Sequence, residues 1–163
     1  LKEKKCVDTS NTAISKLTLE KLKNAEYQTG SIPDGKFQLI DGAYRKKYTP
    51  DSASEQVIQL TDQVVFGDLD AKDGQDAAVI LMEEPGGSGT FYYLAAVINQ
   101  NGNPRNVATA FIGDRVKINT LSIEGNQIIV KILTRRENEP MASPPTLEVT
   151  RQYKLEGEKL VEN

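Results

Sequence analysis

The run Ala77-Ala78-Val79-Ile80-Leu81-Met82 decides the fold. Its near-continuous hydrophobicity marks a central strand covered on both faces. The longer run from Val57 to Phe66 has the same character. Downstream, Pro85-Gly86-Gly87-Ser88-Gly89 interrupts the chain before Phe91 to Asn99, where Tyr92, Tyr93, Val97 and Ile98 favour β structure. Asn101-Gly102 is the clearest turn signal, because both residues tolerate positive φ, and it predicts a hairpin into Val107 to Ile112. Val116-Lys117-Ile118 and Leu121-Ser122-Ile123 alternate as half-buried strands do, and Glu124-Gly125-Asn126 turns them back into Ile128 to Leu133. Glu137 to Pro145 holds three prolines and reads as a loop. Beyond it, Leu147, Val149, Tyr153 and Leu155 make a closing strand, and Glu156-Gly157-Glu158 turns into Leu160-Val161.

Upstream of Val57, residues 49–55 form a Pro/Ser/Asp-rich loop, and Asp41-Gly42 is a hairpin turn between Phe37 to Ile40 and Ala43 to Tyr48. Thr18 is placed to N-cap a short amphipathic helix through Leu19, Leu22 and Ala25, ending near Tyr27. Residues 1–13 are polar and aperiodic, a loose terminus ahead of a single domain spanning 14–163. Together these signals predict a mainly β fold with a minor α component. The expected architecture is an antiparallel meander sheet, sandwich or open barrel with one N-terminal helix packed on it.

What the chain lacks bounds its chemistry. There is no histidine, so the commonest proton shuttle and metal ligand is missing and the usual Ser or Cys triads are excluded. Cys6 is the single cysteine, which rules out an internal disulfide and a thiolate zinc site. Leu1-Lys2-Glu3-Lys4-Lys5 before it is unlike the small, apolar residues of a lipoprotein signal, so an inert thiol is the default reading. A net charge of -3 gives no broad positive field for a phosphate backbone, and nucleic acid is not an expected partner. No stretch reaches the roughly 18 apolar residues of a membrane span.

The segment Gly67-Asp68-Leu69-Asp70-Ala71-Lys72-Asp73-Gly74-Gln75-Asp76 concentrates the candidate site residues. Calcium prefers several carboxylate and carbonyl oxygens on a tight Gly-containing loop, so Asp68, Asp70, Asp73 and Asp76 are the candidate ligands of a metal that would stabilise the loop. The alternative is an Asp/Gly-rich turn between strands ending at Phe66 and starting at Ala77. The segment resembles the calcium loops of FG-GAP repeats and dockerins, with Asp68, Asp70 and Asp76 in register. It departs from them at the fifth place, where Lys72 stands and Asp73-Gly74 is displaced by one. Gly86-Gly87-Ser88-Gly89 lacks the Lys-Ser/Thr pair and following helix of a phosphate loop. Glu83 and Glu84, adjacent on an extended segment, point to opposite faces and cannot share a substrate. Nothing nominates Asp114 as an acid, and Phe91, Tyr92 and Tyr93 can place only one alternate set on a common side.

Several phrases taken together resemble a group of bacterial exported proteins and candidate lipoproteins of unknown function. They include Asp41-Gly42-Ala43-Tyr44, the run from Val64 to Leu81, Gly86-Gly87-Ser88-Gly89-Thr90-Phe91 and Ile112-Gly113-Asp114-Arg115-Val116. The resemblance implies an extracytoplasmic place, periplasmic or envelope-associated, and supplies no catalytic residues. That group often carries cysteine in the late proline-rich loop, whereas Pro140-Met141-Ala142-Ser143-Pro144-Pro145 has none. The expected function is non-catalytic, a structural module or one binding a protein or glycan partner through its sheet face or long loops. The alternative is a small-ligand carrier with a pocket between the helix and a curved sheet. That carrier would need a closed apolar cavity near Tyr92 and Tyr93.

Overall fold

The computed structural model describes residues 15–32, 35–72 and 74–163. The expected tail at 1–13, Cys6 and Asp73 lie outside the described residues. The predicted mainly β, antiparallel fold is what the chain forms. Among the described residues, one short helix, α1 (Leu19–Leu22), precedes eleven strands: β1 (Glu26–Gln28), β2 (Lys36–Gln38), β3 (Ala43–Lys47), β4 (Glu55–Gly67), β5 (Asp76–Glu84) and β6 (Phe91–Gln100) lead the order. Then come β7 (Asn103–Asp114), β8 (Lys117–Glu124), β9 (Gln127–Thr134), β10 (Leu147–Glu156) and β11 (Lys159–Glu162). Strands β3 to β7 form a curled five-stranded meander, β8 to β11 a four-stranded one, and β1 with β2 a separate hairpin.

The sheets stack in layers because β5 has no polar face to offer solvent. Ala78 and Ile80 on one side of β5 join Leu94 and Ala96 of β6 against Ile128, Val130 and Ile132 of β9. Ala77, Val79 and Leu81 on the other side pack with Ala95 and Val97 under Leu22, Tyr27, Phe37 and Leu39 of the N-terminal helix and hairpin. The long apolar run at β5 is therefore buried from both sides, as its sequence requires. Strand β4 differs: beyond a register shift between Leu60 and Val64 its residues are only half-buried, and Phe66 is exposed. The cluster under the N-terminal cap buries Ile58 fully and takes in Leu60 and Val64 only as partly buried neighbours.

The helix is shorter than the apolar spacing predicts. Thr18 caps it as expected, its hydroxyl accepting from the Lys21 amide at 3.2 Å. Asn24 then ends it: its amide nitrogen donates to the Glu20 carbonyl and its Oδ1 accepts from the Asp41 amide. Tyr27 belongs to β1, paired with Phe37 of β2, and its hydroxyl donates to the Leu22 carbonyl. A contact ten residues away on the hairpin outweighs one further helical turn, because propensity alone holds so short a helix weakly. The predicted strand from Phe37 to Ile40 is likewise displaced to Lys36–Gln38, with Ile40 making only an isolated bridge to Ala43. Asn101 and Gly102 both adopt positive φ, 54° and 91°, as the predicted hairpin turn demands.

The two margins of the sandwich are unlike each other. At one, Gly67 at the end of β4 lies against Ile123 of β8 so closely that an added Cβ would sit 2.9 Å from Ile123 Cγ2. At the other, β7 and β11 are both edge strands, and a groove lies between them.

Candidate functional site

The groove has a volume of about 740 Å³ and is open to solvent along its length. Val107 to Thr109 of β7 form its floor, the β1–β2 connection from Gln28 to Gly30 one wall, and Glu158 to Leu160 the other. Its walls are tied to the floor by polar contacts. The Gln28 amide donates to Asn106 Oδ1 at 2.9 Å, and Arg105 of β7 pairs with Glu158 at 2.6 Å. Toward the other end stands Phe111, 54% exposed, edge-on to Tyr93 at 5.5 Å and to Phe91 at 6.1 Å between centroids. Phe91 and Tyr93 share a face because they are two residues apart on β6; Tyr92 projects to the opposite face, against the inter-sheet core.

A buried polar network fixes this aromatic group. Glu83, 1% exposed, accepts from the Tyr93 hydroxyl at 3.1 Å through Oε1 and from Gln56 Nε2 through Oε2. Burial, together with the charge of Glu83, raises the Tyr93 phenol above its usual pKa, so the hydroxyl stays protonated and donating. Sequence reading set Glu83 aside correctly as a partner for Glu84, which is exposed on the opposite face. It gave Glu83 no role of its own. The available signal was its place in the alternate set Ala77, Val79, Leu81, Glu83, a polar residue on a buried face.

The Asp-rich loop sits apart from the groove, between β4 and β5. Asp68, Asp70 and Asp76 each bring one carboxylate oxygen within 4.8 Å of the others. Asp76, 1% exposed, accepts from the Leu69 amide at 2.8 Å and the Asn99 amide at 3.0 Å, so it anchors the loop and the end of β6 at once. Asp68 and Asp70 bend the loop locally, accepting from the amides of Ala71 and Lys72. Asn126 of the β8–β9 turn donates to the Asp68 carbonyl and ties the loop to the second sheet. Burial lifts the Asp76 pKa above 3.8, the two amide bonds draw it back in part, and the charge of Asp70 adds to the rise. Among the described residues, no Lys or Arg lies within ion-pair distance of these three carboxylates. The donor set therefore fits a hard cation in kind: three hard oxygens, like charges pressed together, and no cationic side chain beside them.

Asp114 is a structural anchor. It accepts from the Thr90 amide at 2.9 Å and pairs with Arg115, whose backbone is at φ 53°. Burial opposes its charge, but the bonds from Arg115 and Thr90 and the guanidinium charges of Arg115 and Arg135 hold its pKa below 3.8. No helix among the described residues is long and apolar enough to cross a membrane. Comparisons with protein-family models, with curated proteins and with solved structures return no match.

Proposed function

We propose that this chain is a non-catalytic, extracytoplasmic binding module that takes a protein partner in the groove between β1, β7 and β11. The observation that carries the reading is the exposed aromatic Phe111, held beside the groove by Tyr93, which is in turn oriented by the buried Glu83. Aromatic side chains ordered in advance bind with little loss of conformational freedom, which is why such residues dominate recognition surfaces. Among the described residues lining the groove the one acidic side chain is Glu158, which pairs with Arg105, so paired carboxylates for acid–base hydrolysis are not found among them. The carrier alternative needs a cavity between the helix and the sheet. Toward β5 that space is filled by Leu22, Tyr27 and Leu39, all essentially fully buried. The pocket of about 440 Å³ that remains between Leu19, Lys23 and the Leu60–Phe66 end of β4 is open to solvent rather than the closed cavity near Tyr92 and Tyr93 that a carrier needs.

The test is site-specific photocrosslinking in a bacterial envelope, with the crosslinking amino acid at position 111 and, as control, at the exposed Val161 of β11. A discrete product from position 111 whose protein partner binds the purified chain in vitro supports the reading. Adducts to glycan, or none distinct from the control, refute a protein partner. The compartment is read independently by fractionation.

A second reading rests on the crowded carboxylates: Asp68, Asp70 and Asp76 hold calcium as a clamp on the β4–β5 loop. Its role is stabilising, since the loop joins β4, β6 and the β8–β9 turn. Melting with and without millimolar calcium tests it, as set out below.

A further inference from the structure

Among the described residues, strand β7 pairs with β6 alone and β11 with β10 alone, so two sheet edges face one groove. In an antiparallel strand, alternate residues direct their backbone N–H and C=O to opposite sides, so half of those on an edge strand point away from its sheet. Among the described residues, no backbone group from Val107 to Phe111 bonds to backbone outside the β6 ladder. Edge strands are ordinarily blunted by charge, proline or a bulge. In β7 those devices sit toward its ends: Pro104, Arg105 and a bulge at Val107, which has no partner on β6, at one, and a second bulge at Ile112 at the other. The segment Ala108-Thr109-Ala110-Phe111 between them keeps a regular register with β6 and carries no charge and no proline.

We infer that this segment receives an extended peptide of the partner as an added β-strand, which rests on the protein-binding reading above. The Ala108 carbonyl already accepts from Asn106 Nδ2 at 3.0 Å; the other outward-facing groups are backbone donors and acceptors at strand spacing, and another extended backbone matches them in kind and repeat. A second copy of this chain is disfavoured as the occupant, because its own β7 is flanked by its own β1–β2 connection and β11. Those walls would have to enter a groove already bounded by the same two elements. A single strand has no such flanks. Four residues of edge span about 13 Å, enough for a peptide of about four residues. Its uncharged side chains on one alternate face would meet Phe111 and Tyr93, and the Arg105–Glu158 ion pair bounds its far end.

The experiment uses the full chain and a phage-displayed random peptide library, followed by synthetic peptides of the enriched sequences. Each peptide is then N-methylated at successive residues, which removes one backbone donor at a time. Strand addition predicts about tenfold weaker binding for methylation at one alternate set of residues and little change for the other. It also predicts loss of binding in Thr109→Trp, which fills the groove, provided its circular dichroism and melt match the parent. Peptides that bind and are lost in Thr109→Trp, yet tolerate every methylation equally, overturn strand addition and leave the protein-binding reading standing. Enriched peptides unaffected by Thr109→Trp, or none enriched, overturn both.

Discussion

Asp76→Ala removes a side chain that holds the β4–β5 loop to the end of β6. Its two carboxylate oxygens accept from the Leu69 and Asn99 amides at 2.8 and 3.0 Å, and the residue is 1% exposed. Orphaning two buried donors costs about 1–3 kcal/mol each. Relief of a buried carboxylate beside Asp70 offsets part of that, which leaves a net loss of about 3 kcal/mol. In a chain of this size each kcal/mol moves Tm by about 2–4 °C, so the variant melts about 6–12 °C lower. Urea titration gives a lower midpoint with an unchanged slope. The sign with pH is also fixed. Because burial and Asp70 raise the folded pKa of Asp76 above 3.8, the native chain holds this proton more tightly than the unfolded one. The stability contributed by that linkage is present below 3.8 and is lost as pH rises through the folded pKa. Asp70→Asn removes the neighbouring charge, lowers that pKa and flattens the slope just above 3.8. An Asp76→Ala protein melting within about 2 °C of the parent would refute the anchoring role.

Ile80→Ala, in the core between the two sheets, is expected to cost about 2–5 kcal/mol by urea denaturation, since Ile80 is fully buried. Gly67→Ala costs about 1–3 kcal/mol through its clash with Ile123, and Ile123→Ala in the same chain restores part of the loss in a double-mutant cycle. Asp114→Asn follows the opposite pH sign to Asp76: the contribution of a depressed carboxylate is present above 3.8 and lost as pH falls through the folded pKa, so the variant loses less stability on acidification than the parent. Glu83→Gln lowers the Tyr93 pKa, read by ultraviolet difference titration, because it removes the charge while keeping an acceptor for the Tyr93 hydroxyl. Millimolar calcium raises the parent's Tm and leaves Asp70→Asn unmoved; an unmoved parent removes the calcium reading.

The strands were legible because their signals are local. The run at Ala77 to Met82 has no polar face, and Asn101-Gly102 supplies two residues that accept positive φ, so burial and turn follow from neighbours in the chain. Tyr27 was misread as a helix end because its decisive contact, Phe37, lies across a hairpin that periodicity does not reveal. Of the Asp-rich loop, sequence spacing grouped Asp68, Asp70, Asp73 and Asp76, of which the described residues Asp68, Asp70 and Asp76 come together, while the anchoring of Asp76 by the Asn99 amide depends on β6 arriving beside β5. The groove was not legible at all. Val107 to Phe111 reads as an ordinary strand, and only the stacking of the two sheets leaves its outer edge facing β11. The sequence by itself thus determined which segments are strands and which of them must be covered, since apolar patterning and turn chemistry act over a few residues. The tertiary structure alone decided which strand ends unpaired and which buried carboxylate orients an aromatic, because both depend on contacts between segments distant in the chain.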